Sequence, residues 1–191
     1  MPSAGQKLIV IGSSTGGVAA LTEVLSSIGR RFPPILIVQH MPPHFTRLFA
    51  ERLSADLKIF IKEARKGDPV MPGRVLIAPG GQHMRLVQSG SRLAVDCFVG
   101  EKVHHVMPSA DVLFESVADI IGQAAIGVIL TGIGADGARG LLKMRECGAR
   151  TIGQDKETSE IYGMPKAAYE IGAVEYVLPL ERIAGKIMSL I

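Results

Sequence analysis

Short, unbroken apolar runs recur from one end of this chain to the other, and between them apolar residues fall at helical spacing. Lys7–Gly12, Ile35–His40, Leu57–Lys62, Ala125–Thr131, Arg150–Gly153 and Val174–Leu178 are rich in Ile, Val and Leu and bounded by turn residues. Hydrophobicity that is continuous rather than alternating suits strands covered on both faces, as in a parallel sheet. Val18–Ile28, His44–Ser54, Ala110–Ile121, Ala138–Cys147, Pro165–Ile171 and Pro179–Leu190 carry the helical pattern, the last opening on a proline suited to a first turn.

One segment breaks the rhythm. Val75–Ala78, Met84–Gln88 and Arg92–Asp96 are strand-like pieces divided by Gly80-Gly81 and by Ser89-Gly90-Ser91. Both dividers carry hairpin chemistry, which predicts an antiparallel excursion here. The expectation is an α/β fold with a doubly wound, mainly parallel sheet flanked by helices and a β-hairpin insertion. Residues 1–191 show no internal repeat or linker and are read as one domain.

Bulk properties narrow the function classes. With 47% hydrophobic and 20% charged residues the chain is a folded protein rather than a disordered one. A net charge of +3 and 5% aromatic residues argue against a nucleic-acid surface. No apolar run approaches the roughly 20 residues that span a bilayer, and the polar Met1–Lys7 is no secretory signal. Cys97 and Cys147 lie far apart without ligand-like neighbours, so both are expected as free thiols in a reducing, cytoplasmic setting.

Ligands of open α/β sheets bind where strand carboxyl ends enter the helices, and three such ends stand out. Gly12-Ser13-Ser14-Thr15-Gly16 fits the Gly-x-Ser-x-Gly turn that lifts a serine oxygen above a sheet. The same hydroxyls could cap the next helix. A phosphate loop lacks its lysine, since Val18-Ala19-Ala20 follows Gly17. Gln39-His40 ends the second run; His40 could take a serine proton, or be an ordinary turn histidine, while His44 falls on the helix.

Gly132-Ile133-Gly134-Ala135-Asp136-Gly137 matches the dinucleotide pattern Gly-x-Gly-x-x-Gly, with Asp155 placed for a ribose. A carboxylate at Asp136 would repel a pyrophosphate inside that loop. Asp136 is instead a helix N-cap, the third member of a Ser-His-Asp triad, or both. Ser, His and Asp at one sheet edge favour a hydrolase over a nucleotide-binding module.

These motifs resemble the catalytic domain of the chemotaxis protein-glutamate methylesterases. The resemblance runs through Gly12–Gly17, Gln39-His40-Met41-Pro42, Ile77–Gly81 with His83-Met84, Pro108–Phe114, Leu130–Ala138 and Gly163–Ala167, covering nearly the whole chain. It implies hydrolysis of glutamate γ-methyl esters on the cytoplasmic helical domain of chemoreceptors, releasing methanol, and leaves open deamidation of receptor glutamines. It implies Ser14 as nucleophile, His40 as base, Asp136 as orienting acid, and backbone N–H groups of Thr15 and Ile133 as oxyanion donors. No metal and no cofactor are implied. His83, His105, Tyr162 and Met164 are candidate substrate-lining residues, with His104 and Lys166 beside them. Lys143, Arg145 and Arg150 read as solvated surface or as contacts to an acidic receptor helix.

Two departures accompany the resemblance. Ile133 stands where the family usually has methionine, which predicts altered tuning rather than inactivity. Family members also carry an N-terminal receiver domain and linker, to which no segment of residues 1–191 corresponds. A catalytically idle receptor-binding domain that keeps the fold remains the third alternative.

Overall fold

The computed structural model describes residues 7–191; Met1–Gln6, which hold most of the polar N-terminus, lie outside the described residues. Seven parallel strands form the main sheet in the order β3-β4-β2-β1-β7-β8-β9. They are β1 (Leu8–Ser13), β2 (Ile35–Gln39), β3 (Phe60–Glu63), β4 (Arg74–Ile77), β7 (Ala125–Ile129), β8 (Arg150–Gln154) and β9 (Tyr176–Leu178). An antiparallel ribbon, β5 (His83–Ser89) with β6 (Arg92–Phe98), stands apart from them.

The apolar runs are continuous because both faces of this sheet are covered. Leu8 and Val10 point to one face, with Leu36, Val38 and Leu76, and pack under α3 (Ala110–Ile121), α4 (Ala138–Glu146) and the ribbon. Ile9 and Ile11 point to the other, with Ile35, Ile37, Val75 and Ile77, under α1 (Gly17–Ser27), α2 (Phe45–Leu57) and α6 (Leu180–Ser189). The short α5 (Met164–Glu170) closes against α4 and β8.

Two sequence expectations need correction. Val75–Ala78 is not part of the antiparallel excursion: β4 pairs in parallel with both β2 and β3. Gly80-Gly81 is therefore a strand-exit loop, and Ser89-Gly90-Ser91 alone makes the hairpin turn. Leu57 belongs to α2 rather than to a strand, because the Phe49-Ala50-Leu53 face extends to it. The helix then stops at Lys58, whose left-handed backbone (φ 55°) returns its N–H to Ser54 O.

From β1 the chain passes through β2 to the edge strand β3, turns back to lay β4 between β3 and β2, and after the ribbon continues on the other side of β1 through β7, β8 and β9. The reversal leaves a crevice at the carboxyl ends of β1 and β7, where such sheets bind their ligands. Ser14, His40 and the Gly132–Gly137 loop follow β1, β2 and β7 directly.

Candidate functional site

Ser14 is placed by the end of β1 and by two neighbours. Its N–H donates to Thr131 O (3.0 Å), and the His40 N–H donates to Ser13 O (3.0 Å), so three strand exits are stitched together. Buried Gln39 completes the turn. Its Oε1 accepts from Ser13 Oγ (2.7 Å), and its Nε2 donates to Ser14 O (2.9 Å) and His40 O (3.1 Å). Ser13 is thus an anchor, which leaves the half-buried Ser14 with a hydroxyl unbonded among the described residues.

Among the described residues no serine or threonine caps α1. Its N-cap is Gly16, whose φ of 79° is a left-handed conformation that glycine adopts without strain, and no side chain bonds the helix start. The cap alternative for these hydroxyls is therefore not what the fold uses. Gly132 forms the floor: a Cβ there would lie 2.7 Å from Ser14 Cβ, so the absent side chain lets the Ile133 loop come alongside the serine.

His40 Nε2 and Asp136 Oδ2 are 2.7 Å apart, the imidazole side chain 11% exposed and the carboxylate 2%. Of the two roles left open for Asp136, that of N-cap to α4 is taken by Gly137, with φ 90°. The carboxylate instead faces the start of α3, where Oδ1 accepts from Ser109 Oγ (2.6 Å) and Asp111 N–H (3.1 Å). Oδ2 also accepts from Ala110 N–H (2.7 Å). Burial pushes this carboxyl up, but the hydrogen bonds from His40, Ser109 and Ala110 outweigh it and hold it below the ordinary aspartate value.

An ionised Asp136 has no proton to give, so the proton between the two residues belongs to Nε2. In neutral imidazole Nδ1 is then the basic nitrogen, and it has no hydrogen-bond partner among the described residues. Ser14 Oγ makes no hydrogen bond to it in this state. The N–H groups of Thr15 and Ile133 have no acceptor among the described residues either, and both residues are exposed, Ile133 by 63%.

The other candidates divide. His105 lines a cleft of about 300 Å3 together with His40, Met41, Pro42, Lys102 and Met107. Tyr162 is half-buried and bridges to Gly132, with burial pushing its phenol up. His83 and Met164 do not line open surface: they are 2% and 0% exposed. Met164 packs beneath Gly132 and donates its N–H to Gly132 O (2.8 Å), while both His83 ring nitrogens are engaged.

Lys143, Arg145 and Arg150 are occupied within the chain, by Asp119, by Gly172 O and by Glu175. Lys166 sits 3.7 Å from Glu170 on α5. Asp155 closes its own turn by accepting from Thr158 N–H (3.0 Å), which removes it from the ribose role.

His104, Asp111 and Asp136 bring ligand atoms within 4.8 Å of one another. They are already bonded: Asp111 Oδ2 to His104 Nε2 (2.9 Å), Asp111 Oδ1 to the Gly140 N–H (2.7 Å), and Asp136 to its own four donors. A cation would have to break this network. A larger apolar groove, about 590 Å3, lies between α1 and α2 and is edged by Val18, Met41, Phe45 and Leu48. No described helix is long and apolar enough to cross a membrane.

Sequence reasoning missed Gln39 and Ser109 as parts of the site. Ser109 had a signal, a serine directly before the periodic run Ala110–Ile121; Gln39, inside an apolar strand, was a buried polar residue in need of partners.

A family model described as CheB methylesterase matches residues 9–187. The protein-glutamate methylesterase/protein-glutamine glutaminase of Sulfurimonas denitrificans is 51% identical over 97% of this chain and 53% of its own. A protein of the same name, numbered 2, from Syntrophus aciditrophicus is 52% identical over 97% of this chain and 54% of its own. The chain thus spans about half the length of the curated relatives it matches. The crystal structure of the Thermotoga maritima CheB methylesterase catalytic domain superposes with a TM-score of 0.94 at 40% identity, covering 97% of this chain and 98% of that one.

Proposed function

Since the chain belongs to the CheB methylesterase family, we propose that residues 1–191 form one catalytic domain that hydrolyses glutamate γ-methyl esters through a Ser14-His40-Asp136 triad. The observation that carries this reading is the 2.7 Å bond from His40 Nε2 to a buried, anionic Asp136, at a strand end beside the free Ser14 hydroxyl.

Ser14 Oγ attacks the ester carbonyl carbon as His40 Nδ1 takes its proton. Asp136 holds the ring and stabilises the imidazolium. The oxyanion is met by the free N–H groups of Thr15 and Ile133. Collapse breaks the bond to methoxide, which leaves as methanol with the proton from His40. Water then adds to the acyl-enzyme, His40 takes its proton and returns it to Ser14, and the glutamate carboxylate is released. The open ring nitrogen is Nδ1 here, so the serine approaches the imidazole edge nearer its own Cβ. A glutamine side chain enters the same acyl-enzyme with ammonia as leaving group.

The substrate in this reading is the cytoplasmic helical domain of chemoreceptors, with a receiver domain as a further partner in full-length family members. Methanol release from a methylated receptor, with Ser14→Ala as control, tests it. Wild type should release methanol and label with a fluorophosphonate, and Ser14→Ala should do neither. Equal labelling of the two would remove Ser14 as nucleophile.

A further inference from the structure

An N-cap serine ordinarily turns its hydroxyl to the amides of its own helix. Ser109, the extended N-cap of α3 (φ −116°, ψ 135°), accepts from Val112 N–H only at 3.5 Å. It donates instead to Asp136 Oδ1 at 2.6 Å, a length typical of a hydroxyl bound to an anion. The hydroxyl has one hydrogen, and Val112 N is itself a donor, so that hydrogen goes to the carboxylate. Ser109 is completely buried.

Ser109 is itself held from behind. Its N–H donates to His83 Nδ1 (3.2 Å), and His83 Nε2 therefore carries the ring proton and donates it to Glu101 O (2.8 Å). One line of hydrogen bonds runs from Glu101 O through His83, Ser109 and Asp136 to His40. The His83 placed by the motif after Gly80-Gly81 touches no open surface, and this line is what it serves.

We propose that Ser109 is a positioning residue for the reaction, acting through Asp136, with His83 fixing Ser109; the proposal rests on the triad reading above. The end torsion of an aspartate is broad and nearly two-fold. Oδ2 already has to serve both His40 and the Ala110 N–H, so the plane is set by what grips Oδ1. Among the described residues Ser109 is the one side chain that does so, and the Asp111 N–H is longer at 3.1 Å. Without the hydroxyl the carboxylate can turn, and the His40 ring loses its orientation. Substrate never reaches the buried Ser109, so the loss falls on kcat and not on KM.

The test compares Ser109→Gly, Ser109→Ala and Ser109→Thr with wild type and Ser14→Ala. Glycine is nearly as good an N-cap as serine, so Ser109→Gly removes the hydroxyl while keeping the helix start. Both Gly and Ala variants should lose kcat by about 10- to 100-fold, the range seen when outer partners of metal-bound histidines are removed, with KM within about twofold. Thr should recover most of the kcat. The deshielded proton-NMR signal of the His40 Nε2–H should shift or broaden in the Gly and Ala variants and persist in Thr.

Normal kcat in Ser109→Gly, or loss only in proportion to unfolded protein with an unmoved His40 proton, overturns the proposal. If Ser14→Ala is inactive while Ser109→Gly is normal, only the role of Ser109 falls. If Ser14→Ala turns over normally, the triad reading falls and takes this one with it.

Discussion

Asp136 and Asp111 cap each other's helices. Asp136, in the loop before α4, accepts the Ala110 and Asp111 N–H groups at the start of α3 (2.7 and 3.1 Å). Asp111, in the first turn of α3, accepts the Gly140 N–H in the first turn of α4 (2.7 Å). Each carboxylate meets amides that a helix cannot satisfy internally and sits at the positive end of a dipole. Both are buried, at 2% and 1% exposure. The acid hydrogen-bonded to His40 is therefore also part of the scaffold.

Asp136→Asn should cost stability as well as activity. Both oxygens accept from backbone N–H groups, so one must be replaced by an NH2 facing another donor. Leaving such a group unpaired costs about 1–3 kcal/mol, a fall in Tm of roughly 2–12 °C for a chain this size. Turnover should drop by orders of magnitude, about 10⁴ in the triad template. A melting curve identical to wild type would contradict the donor arrangement.

The same pair of proteins has a distinct pH signature. The folded-state pKa of Asp136 lies below the ordinary 3.8. Its ionisation therefore adds stability above the unfolded-state pKa, and that gain is lost as pH falls through the folded value. The stability gap between wild type and Asp136→Asn should be flat above about pH 5 and narrow progressively below about pH 4. Urea titrations at a series of pH values measure it; a gap that widens on acidification would reverse the sign.

Gly132→Ala should disable Ser14 without touching it chemically. The new Cβ would sit 2.7 Å from Ser14 Cβ and meet the Met164 sulfur, forcing the turn aside. Overpacking of this kind costs about 1–3 kcal/mol, and fluorophosphonate labelling should slow by at least about tenfold, since small misplacements near chemistry are costly. Ile133→Ala, on an exposed neighbour, should keep stability within about 0.5 kcal/mol. Unimpaired labelling in Gly132→Ala would show that Ser14 tolerates displacement.

The two thiols should differ sharply toward iodoacetamide. Cys147 is exposed, whereas Cys97 is buried, and burial together with Asp68, Asp96 and Glu63 pushes its pKa up to about 12. Thiolate is the reactive form. Mass spectrometry should find one alkylation under native conditions and two after unfolding; fast native modification of Cys97 would require a more open ribbon.

A serine of the Gly12–Gly16 turn, His40 and Asp136 could be nominated from the residues alone because each lies at an apolar strand's end or in the loop leaving it, and strand ends are marked by where hydrophobicity stops. The choice of Ser14 over Ser13 came from the resemblance. Ser109, Gln39 and the burial of His83 could not be assigned that way. Their partners are 27, 25 and 26 residues distant, and no local pattern records which loop a side chain will face. The reading of Val75–Ala78 as part of a hairpin erred for a related reason: Gly80-Gly81 is turn chemistry, but a turn residue does not say whether the next strand folds back or leaves the sheet.

Local chemistry thus determined the parallel α/β architecture, the strand-end loops and the three residues worth inspecting, because doubly covered strands must be apolar throughout. Tertiary structure alone decided that Asp136 bonds His40 through Nε2. It also decided that the carboxylate is gripped by α3 rather than capping its own helix α4. The physical reason is desolvation. Once buried, a carboxylate must take every donor within reach, and which donors are within reach is settled only when helices distant in sequence pack side by side.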